Sequence, residues 1–385
     1  MLENRCEAWM VGIWLLAIAA LPAMGSAPND GQLAEAEAVV TEPEAAGLTD
    51  AERAATAPEE PEVIDPVAAG LVTREELQRY DDLDSKRIQD FTNVDLADYV
   101  ELRNRGADTR NPRGSAAEEI GCYAIKSLKQ PYRAAAGRFD LAESDCVTFQ
   151  ERCIALGLAT DWRSYHLLCN RLRHKDGVLK YANRNVYPLA DWIPNNAWLF
   201  EDITDKLGVP ASTFDLGLQR KKRLVAQIAA GRIAPADLDV DVASMPETEL
   251  VPQTYVARKH VAKVCEALRT GDLVFVIRRK QAKGTAPWYF CDHVGVIFRS
   301  REDTVTIVHA VHPNVHQEPL IELMTRCPWV GGFKFVRLRD DAAVIADAEL
   351  RRIHLSLPTV QPSEQDVSTA ALRSARGIPL RQAAP

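Results

Sequence analysis

Residues 139–160 read FDLAESDCVTFQERCIALGLAT, and the rest of the chain is read outward from them. Ser144 and Asp145 are residue types whose side chains accept hydrogen bonds from the free N–H groups of a helix's first turn. Apolar residues follow at Val147, Phe149, Ile154 and Leu158, so the pattern predicts a helix that opens at Cys146. A thiol in that position faces unpaired N–H groups and the positive end of the helix dipole, both of which stabilise a thiolate. Free Cys has a pKa of about 8.5, and such placement is known to bring it to about 3.5–7.5.

On the N-terminal side, residues 74–104 mix charged and apolar residues at helical spacing and predict one or two helices. A further helix begins near Gly114 and stops before Pro131. On the C-terminal side, a helix is expected over 162–173, closed by Asp176-Gly177. An irregular stretch runs through DWIPNN (191–196), and a helix follows over 221–230. The character then changes. DLVFVI (272–277), HVGVIF (293–298), TVTIVHA (304–310) and FKFVRL (333–338) are short, rich in β-branched residues and bounded by turn residues, so they read as strands. Helices first and antiparallel strands afterwards imply an α+β domain.

Two histidines fall on these strands. His293 heads the second and His309 closes the third, and adjacent antiparallel strands can set the two rings side by side. Cys146, His293 and His309 then supply a nucleophile, its base and an orienting group. Each alone is a weak sign, since a lone Cys is usually a small buried hydrophobe and a lone strand His a structural residue. The ordered combination carries the argument. A rival reading uses His309, His312 and His316 as ligands of a zinc amidase. Pro313 opposes a helix there, so the three would share no face, and His312 and His316 read as loop residues at the mouth of the site.

SDCVTF (144–149), TGDLVFV (270–276), HVGVIF and VHA (308–310) together resemble the NlpC-type cell-wall hydrolases, which have a papain-like α+β fold. CVTFQE, RHKDGVLKYANRN (173–185), DWIPNN and GGFKFVRL (331–338) are similar to the branch described as N-acetylmuramoyl-L-alanine amidase-like. The resemblance spans residues 132 to 338. It implies a helical N-terminal part whose nucleophile helix packs on an antiparallel sheet, with Cys146 as nucleophile, His293 as general base and His309 as third member. It implies no metal or cofactor, and peptidoglycan or muropeptides as substrate. Both the muramoyl–L-alanine amide and the γ-D-glutamyl–diamino acid bond suit such machinery. Many NlpC-type enzymes carry an upstream Y-x-Y-G-G run whose Tyr assists the oxyanion site; here the matching region is PYRAAAGRFD (131–140), with Tyr132 as the stand-in. Residues 208–251 fit no part of the family pattern and are read as an insertion. Acyl transfer on a lipid and a catalytically inactive wall-binding protein are the competing functions.

The remaining segments bound the setting. Arg5, an apolar run over 9–21 and small residues at 23–25 read as a secretory signal over 1–25, too short to span a membrane. An uncleaved anchor helix is the alternative, and either one places the rest in the periplasm or outside the cell. Residues 26–71 are rich in Ala, Glu and Pro, a composition that cannot offset its ordering entropy, and read as a disordered spacer. The hydrolase domain is expected over 72–340, with a loose tail over 341–385. The net charge of −8 sits largely in the spacer, and the folded part is not basic enough for nucleic acid. Of eight Cys, Cys6 leaves with the signal, and no C-x-x-C occurs. Links between Cys153 and Cys169 and between Cys291 and Cys327 compete with buried thiols, while Cys146 must stay reduced to act.

Overall fold

The computed structural model describes residues 65–108, 114–133, 144–238, 240–281 and 287–356. The signal and nearly all of the spacer, like the chain beyond 356, lie outside the described residues.

Three helices lead in, each opened by a reciprocal capping box in which a Ser or Thr and an acid three residues on satisfy each other's backbone N–H. These are α1 (Arg74–Ser85), α2 (Asn93–Asn104) and α3 (Ala116–Lys126). Helix α4 spans Cys146–Leu158, with Asp145 as N-cap accepting from the Thr148 N–H at 2.7 Å. Helix α5 spans Trp162–Arg173 behind Asp161. The helix that the caps predict at Cys146 thus opens there.

The strands are β1 (Phe200–Asp202), β2 (Ser212–Leu218), β3 (Glu249–Ala257), β4 (Leu273–Lys280), β5 (Trp288–Arg299), β6 (Val305–Val311), β7 (Asn314–Pro319) and β8 (Val330–Leu338). They form one sheet in the order β2-β3-β8-β4-β5-β6-β7, with β1 also paired to β8. Its pairings are antiparallel. The domain is therefore α+β, as the order of elements predicts. The sequence reading had four of these strands. It left out the three-residue β1, β2 within the segment read as an insertion, β7, where only Val315 is buried, and β3, which carries Pro252 and half-exposed polar residues.

One sheet face buries Phe275, Val294, Val296, Val308 and Ala310 in a core shared with α3, α4 and α5. The other buries Val274, Val276, Ile297, Ile307, Phe333 and Phe335 beneath a turn at 261–264 and helix α7 (Leu320–Arg326). Burial on both faces explains why DLVFVI is an unbroken apolar run rather than an alternating one.

Two expectations change. The segment 208–251 is not merely an insertion of unknown form: β2, helix α6 (Arg220–Ala229) and the start of β3 extend the sheet at one edge. Phe214, Leu216 and Leu218 alternate inward along β2, a period-two signal interrupted by Gly217. The tail expected to be loose from 341 begins instead with helix α8 (Ala342–Ser356). Ala342 and Ala346 are buried there, and Glu349 pairs with Arg171 of α5 at 2.5 Å. Ala342, Ala346, Leu350 and Ile353 recur at helical spacing along that docking face.

The TGD turn before β4 is structural. Gly271 has φ +87°, and a Cβ there would lie 2.3 Å from the Ala117 carbonyl oxygen of α3, so only glycine fits. Asp272 is buried and binds the Arg337 guanidinium at 2.7 Å, tying β4 to β8. No helix among the described residues is long and apolar enough to cross a membrane.

Candidate active site

The residues that follow Cys146 lock its helix in place. Gln150 is buried and donates to the Gly295 carbonyl of β5 at 2.9 Å. Glu151 is buried and accepts from Arg173 at 2.9 and 2.6 Å and from the Trp192 indole at 3.1 Å. Arg173 also reaches the Thr148 hydroxyl at 3.1 Å. The downstream segments complete this scaffold: Asn185 and Asn196 both donate to the Leu172 carbonyl at the end of α5. Asp191 receives the Val186 and Tyr187 N–H groups at 3.1 and 2.9 Å. CVTFQE, RHKDGVLKYANRN and DWIPNN are thus one connected support beneath the first turn of α4.

Cys146 is half-buried, and its sulfur receives the backbone N–H of Val294, the residue after His293. Burial pushes the thiol up to about 12, and the Asp145 carboxylate adds to this, against the pull of the Val294 N–H. Asp292 raises it further. The low thiol pKa expected from a helix start is therefore corrected. The residue that caps the helix is itself an anion beside the sulfur, and it offsets the helix's positive end. In the resting protein this cysteine is a thiol.

His293 donates to or accepts from His309 through Nε2 and Nδ1, 2.8 Å apart. The β6–β7 register sets His309 opposite His316. His309 Nε2 lies 2.9 Å from Glu318 Oε1 and 3.1 Å from His316 Nε2, and His316 Nε2 lies 3.2 Å from the same Oε1. Arg326 holds Glu318 from outside at 2.5 Å. Burial keeps His293 well below the usual histidine range, and His309 below it as well. Burial works the other way on Glu318, but hydrogen bonds from His309, His316 and Arg326 hold it well below the usual carboxylate range. His312 does not belong to this group: His309, His316 and Glu318 are the metal-ligand types that converge, so the 309/312/316 string is not what the fold assembles.

Tyr132 stands at the same place. Its backbone bridges to Ser144 and to the Pro313 carbonyl, and burial, with the nearby Asp145 and Asp292 carboxylates adding to it, pushes its phenol up to about 12. Asp292, buried and raised by that burial, is held by Arg278 at 3.2 Å, whose guanidinium lies over the Trp329 ring. A cavity of about 330 Å³ lined by Leu189, Asp202, Gln253 and Lys334 lies apart from these groups and includes none of them.

The family model for N-acetylmuramoyl-L-alanine amidase-like proteins matches residues 122–331, which contain the whole of this arrangement. The chain belongs to that family. Among solved structures it is similar to a Legionella pneumophila protein of family DUF1460, at 16% identity over 65% of this chain and 95% of that one, with a TM-score of 0.52. It is also similar to an N-acetylmuramoyl-L-alanine amidase from Bacteroides uniformis, at 18% identity over 59% of this chain and 100% of that one, with a TM-score of 0.45. At such identities the Legionella likeness speaks for the fold alone. No curated protein matches the sequence.

In this amidase-like chain, sequence reasoning singled out Cys146, His293, His309 and Tyr132 and did not single out Glu318 and Arg326, which join the histidine cluster. The signal was a Glu two residues from His316 in a polar strand, and its partner is fixed only by the β6–β7 register. The proposed cysteine links are not formed, since Cys153, Cys169 and Cys291 carry free thiols. Cys153 and Cys169 are buried, and burial pushes both thiols well up, which makes them core packing groups.

Proposed function

We propose that this chain is an exported cysteine hydrolase of papain-like design that cuts the muramoyl–L-alanine amide of peptidoglycan. The observation that carries the reading is the His293–His309–Glu318 chain, with the Cys146 sulfur bonded to the backbone N–H of Val294, the next residue after His293. Glu318 is a carboxylate and only accepts, so it draws the proton of His309 onto Nε2. His309 Nδ1 is then a lone pair that accepts from His293 Nε2–H. His293 Nδ1 is thereby left unprotonated as the base. A carboxylate two residues from His316 thus fixes the tautomer of both catalytic rings.

In the reaction, His293 takes the Cys146 proton as the sulfur attacks the lactyl carbonyl. The oxyanion is met by the Cys146 backbone N–H and the Tyr132 hydroxyl. Collapse of the tetrahedral adduct breaks the C–N bond, and His293 returns its proton to the alanine amine that leaves. Water, deprotonated by His293, then hydrolyses the thioester and restores the thiol. Because the resting pair is thiol and neutral imidazole, proton transfer and attack occur together rather than from a preformed thiolate. Residues 72–340 with helix α8 are the hydrolase unit in this reading, and the N-terminal signal and spacer give it a periplasmic or secreted setting and reach into the wall.

Mass spectrometry of products from purified muropeptides tests the proposal. Peptides with a free N-terminal L-alanine and peptide-free muramyl sugars are expected from the unaltered protein, and neither from Cys146→Ser. Release of fragments beginning at the diamino acid would move the cut to the γ-D-glutamyl bond. Turnover retained by Cys146→Ser would overturn the cysteine mechanism.

A further inference from the structure

The convergence of three ligand atoms on one point is more than the relay requires. His309 Nε2, His316 Nε2 and Glu318 Oε1 are mutually separated by 2.9, 3.1 and 3.2 Å. Donors around a tetrahedral zinc at about 2.0–2.1 Å lie about 3.3 Å apart. Two imidazole nitrogens aimed at each other across 3.1 Å gain little as a hydrogen-bonded pair when both also face the same carboxylate oxygen. One divalent cation between them would use all three lone pairs. His309 is buried, whereas His316 is about a third exposed and leaves an approach from solvent. Two imidazoles and one carboxylate suit zinc better than calcium or magnesium.

We propose that His309, His316 and Glu318 form a Zn²⁺ site that switches the hydrolase off. The inference rests on the cysteine mechanism above and follows from the same tautomer logic. Metal on His309 Nε2 displaces the proton from that atom, and the neutral ring must then carry its proton on Nδ1. His309 now donates to His293 Nε2 instead of accepting from it. The proton between the rings passes from His293 Nε2 to His309 Nδ1, and His293 takes up another from solvent on Nδ1, the atom left for Cys146, so no base remains. The proton displaced from His309 Nε2 leaves to solvent, and the two neutral rings hold two protons before and after. Arg326 competes, because its guanidinium sits 2.5 Å from the oxygen the metal needs. His316 contacts Glu318 and His309 but passes no proton between Cys146 and the relay, so it is the ligand whose loss weakens the metal site with the least change to the relay.

The test uses the full chain freed of metal with a chelator. Calorimetric titration of Zn²⁺ into the Cys146→Ser protein, in which the nucleophile cannot ligate, should show a site that His316→Gln weakens by at least ~10-fold, since even outer-shell partners are worth about 10–100-fold. Arg326→Ala should tighten it. On muropeptides, Zn²⁺ should inhibit turnover reversibly, with EDTA restoring it, and His316→Gln should resist the metal by a similar factor relative to its own metal-free turnover. Identical Zn²⁺ isotherms with and without His316→Gln would overturn the site, as would turnover indifferent to bound zinc. Turnover abolished by metal removal would also overturn the inference, in favour of zinc catalysis. The calorimetric arm needs no turnover. Zinc held through His316 in a protein that cleaves no muropeptide would therefore sink the functional reading and leave the metal site standing.

Discussion

Removing the Glu151 carboxylate should destabilise the domain far more than an ordinary core truncation of the same size. Glu151 and Arg173 side chains are 1% and 8% exposed, so neither charge is relieved by water when the other is lost. Glu151→Ala removes three hydrogen bonds, two from the guanidinium at 2.9 and 2.6 Å and one from the Trp192 indole at 3.1 Å. Hydrogen bonds to a charged group are worth about 1.5–3 kcal/mol each, but two of these share one guanidinium and do not add. The larger effect is the Arg173 charge left buried, and breaking such a pair from one side costs about 3–5 kcal/mol. Urea unfolding of Glu151→Ala should therefore show a lower midpoint at unchanged slope, equivalent to about 3–5 kcal/mol. Glu151→Leu combined with Arg173→Met should recover at least ~2 kcal/mol of that, because replacing both partners removes the stranded charge. A loss below ~1 kcal/mol for Glu151→Ala, or a double variant no better than the worse single one, would refute the argument that this pair holds the support under Cys146.

What was legible in the sequence was mostly local. The Ser144-Asp145 cap and the apolar spacing after it are interactions within a few residues, so the start of α4 could be read directly. His293 and His309 were placed because strand pairing between consecutive β-rich segments is nearly local too. The rest depended on distant partners. Glu318 gains its role only when β7 pairs with β6 and sets His316 opposite His309, and NVHQEP carries too little apolar signal to announce a strand. The TGD of TGDLVFV, quoted for the family resemblance, holds a close approach of α3 to β4 and the tie to Arg337. The thiol was misjudged because a helix start was weighed without the burial of the sulfur or its cap's charge.

Cys146→Ser should abolish muropeptide hydrolysis while leaving the urea midpoint unchanged, and a variant that unfolded at lower urea would mean the thiol packs rather than reacts. His293→Ala should lower kcat by about 10²–10⁴, the usual worth of a general acid–base. Glu318→Ala should cost less, with KM unchanged, because water can replace part of an orienting contact; equal losses would count against the proposed relay. Gly295→Val should destabilise by about 1–3 kcal/mol, the usual cost of overpacking, since even a Cβ at that position lies 2.7 Å from Ile307 Cγ1 and 2.9 Å from the Val308 carbonyl oxygen; an unchanged melting profile would show that β5 and β6 can part without cost. Stability should fall as pH drops through the unfolded histidine value of about 6.5, because burial holds His166, set edge-on to Trp162 at 4.3 Å, below its usual range. The unfolded chain there binds a proton that the folded chain refuses, so this contribution is fully present above that pH and is lost below it. His166→Phe should flatten the decline between pH 7.5 and 5.5 in paired urea titrations, and an equal decline with and without the imidazole would place the proton uptake elsewhere.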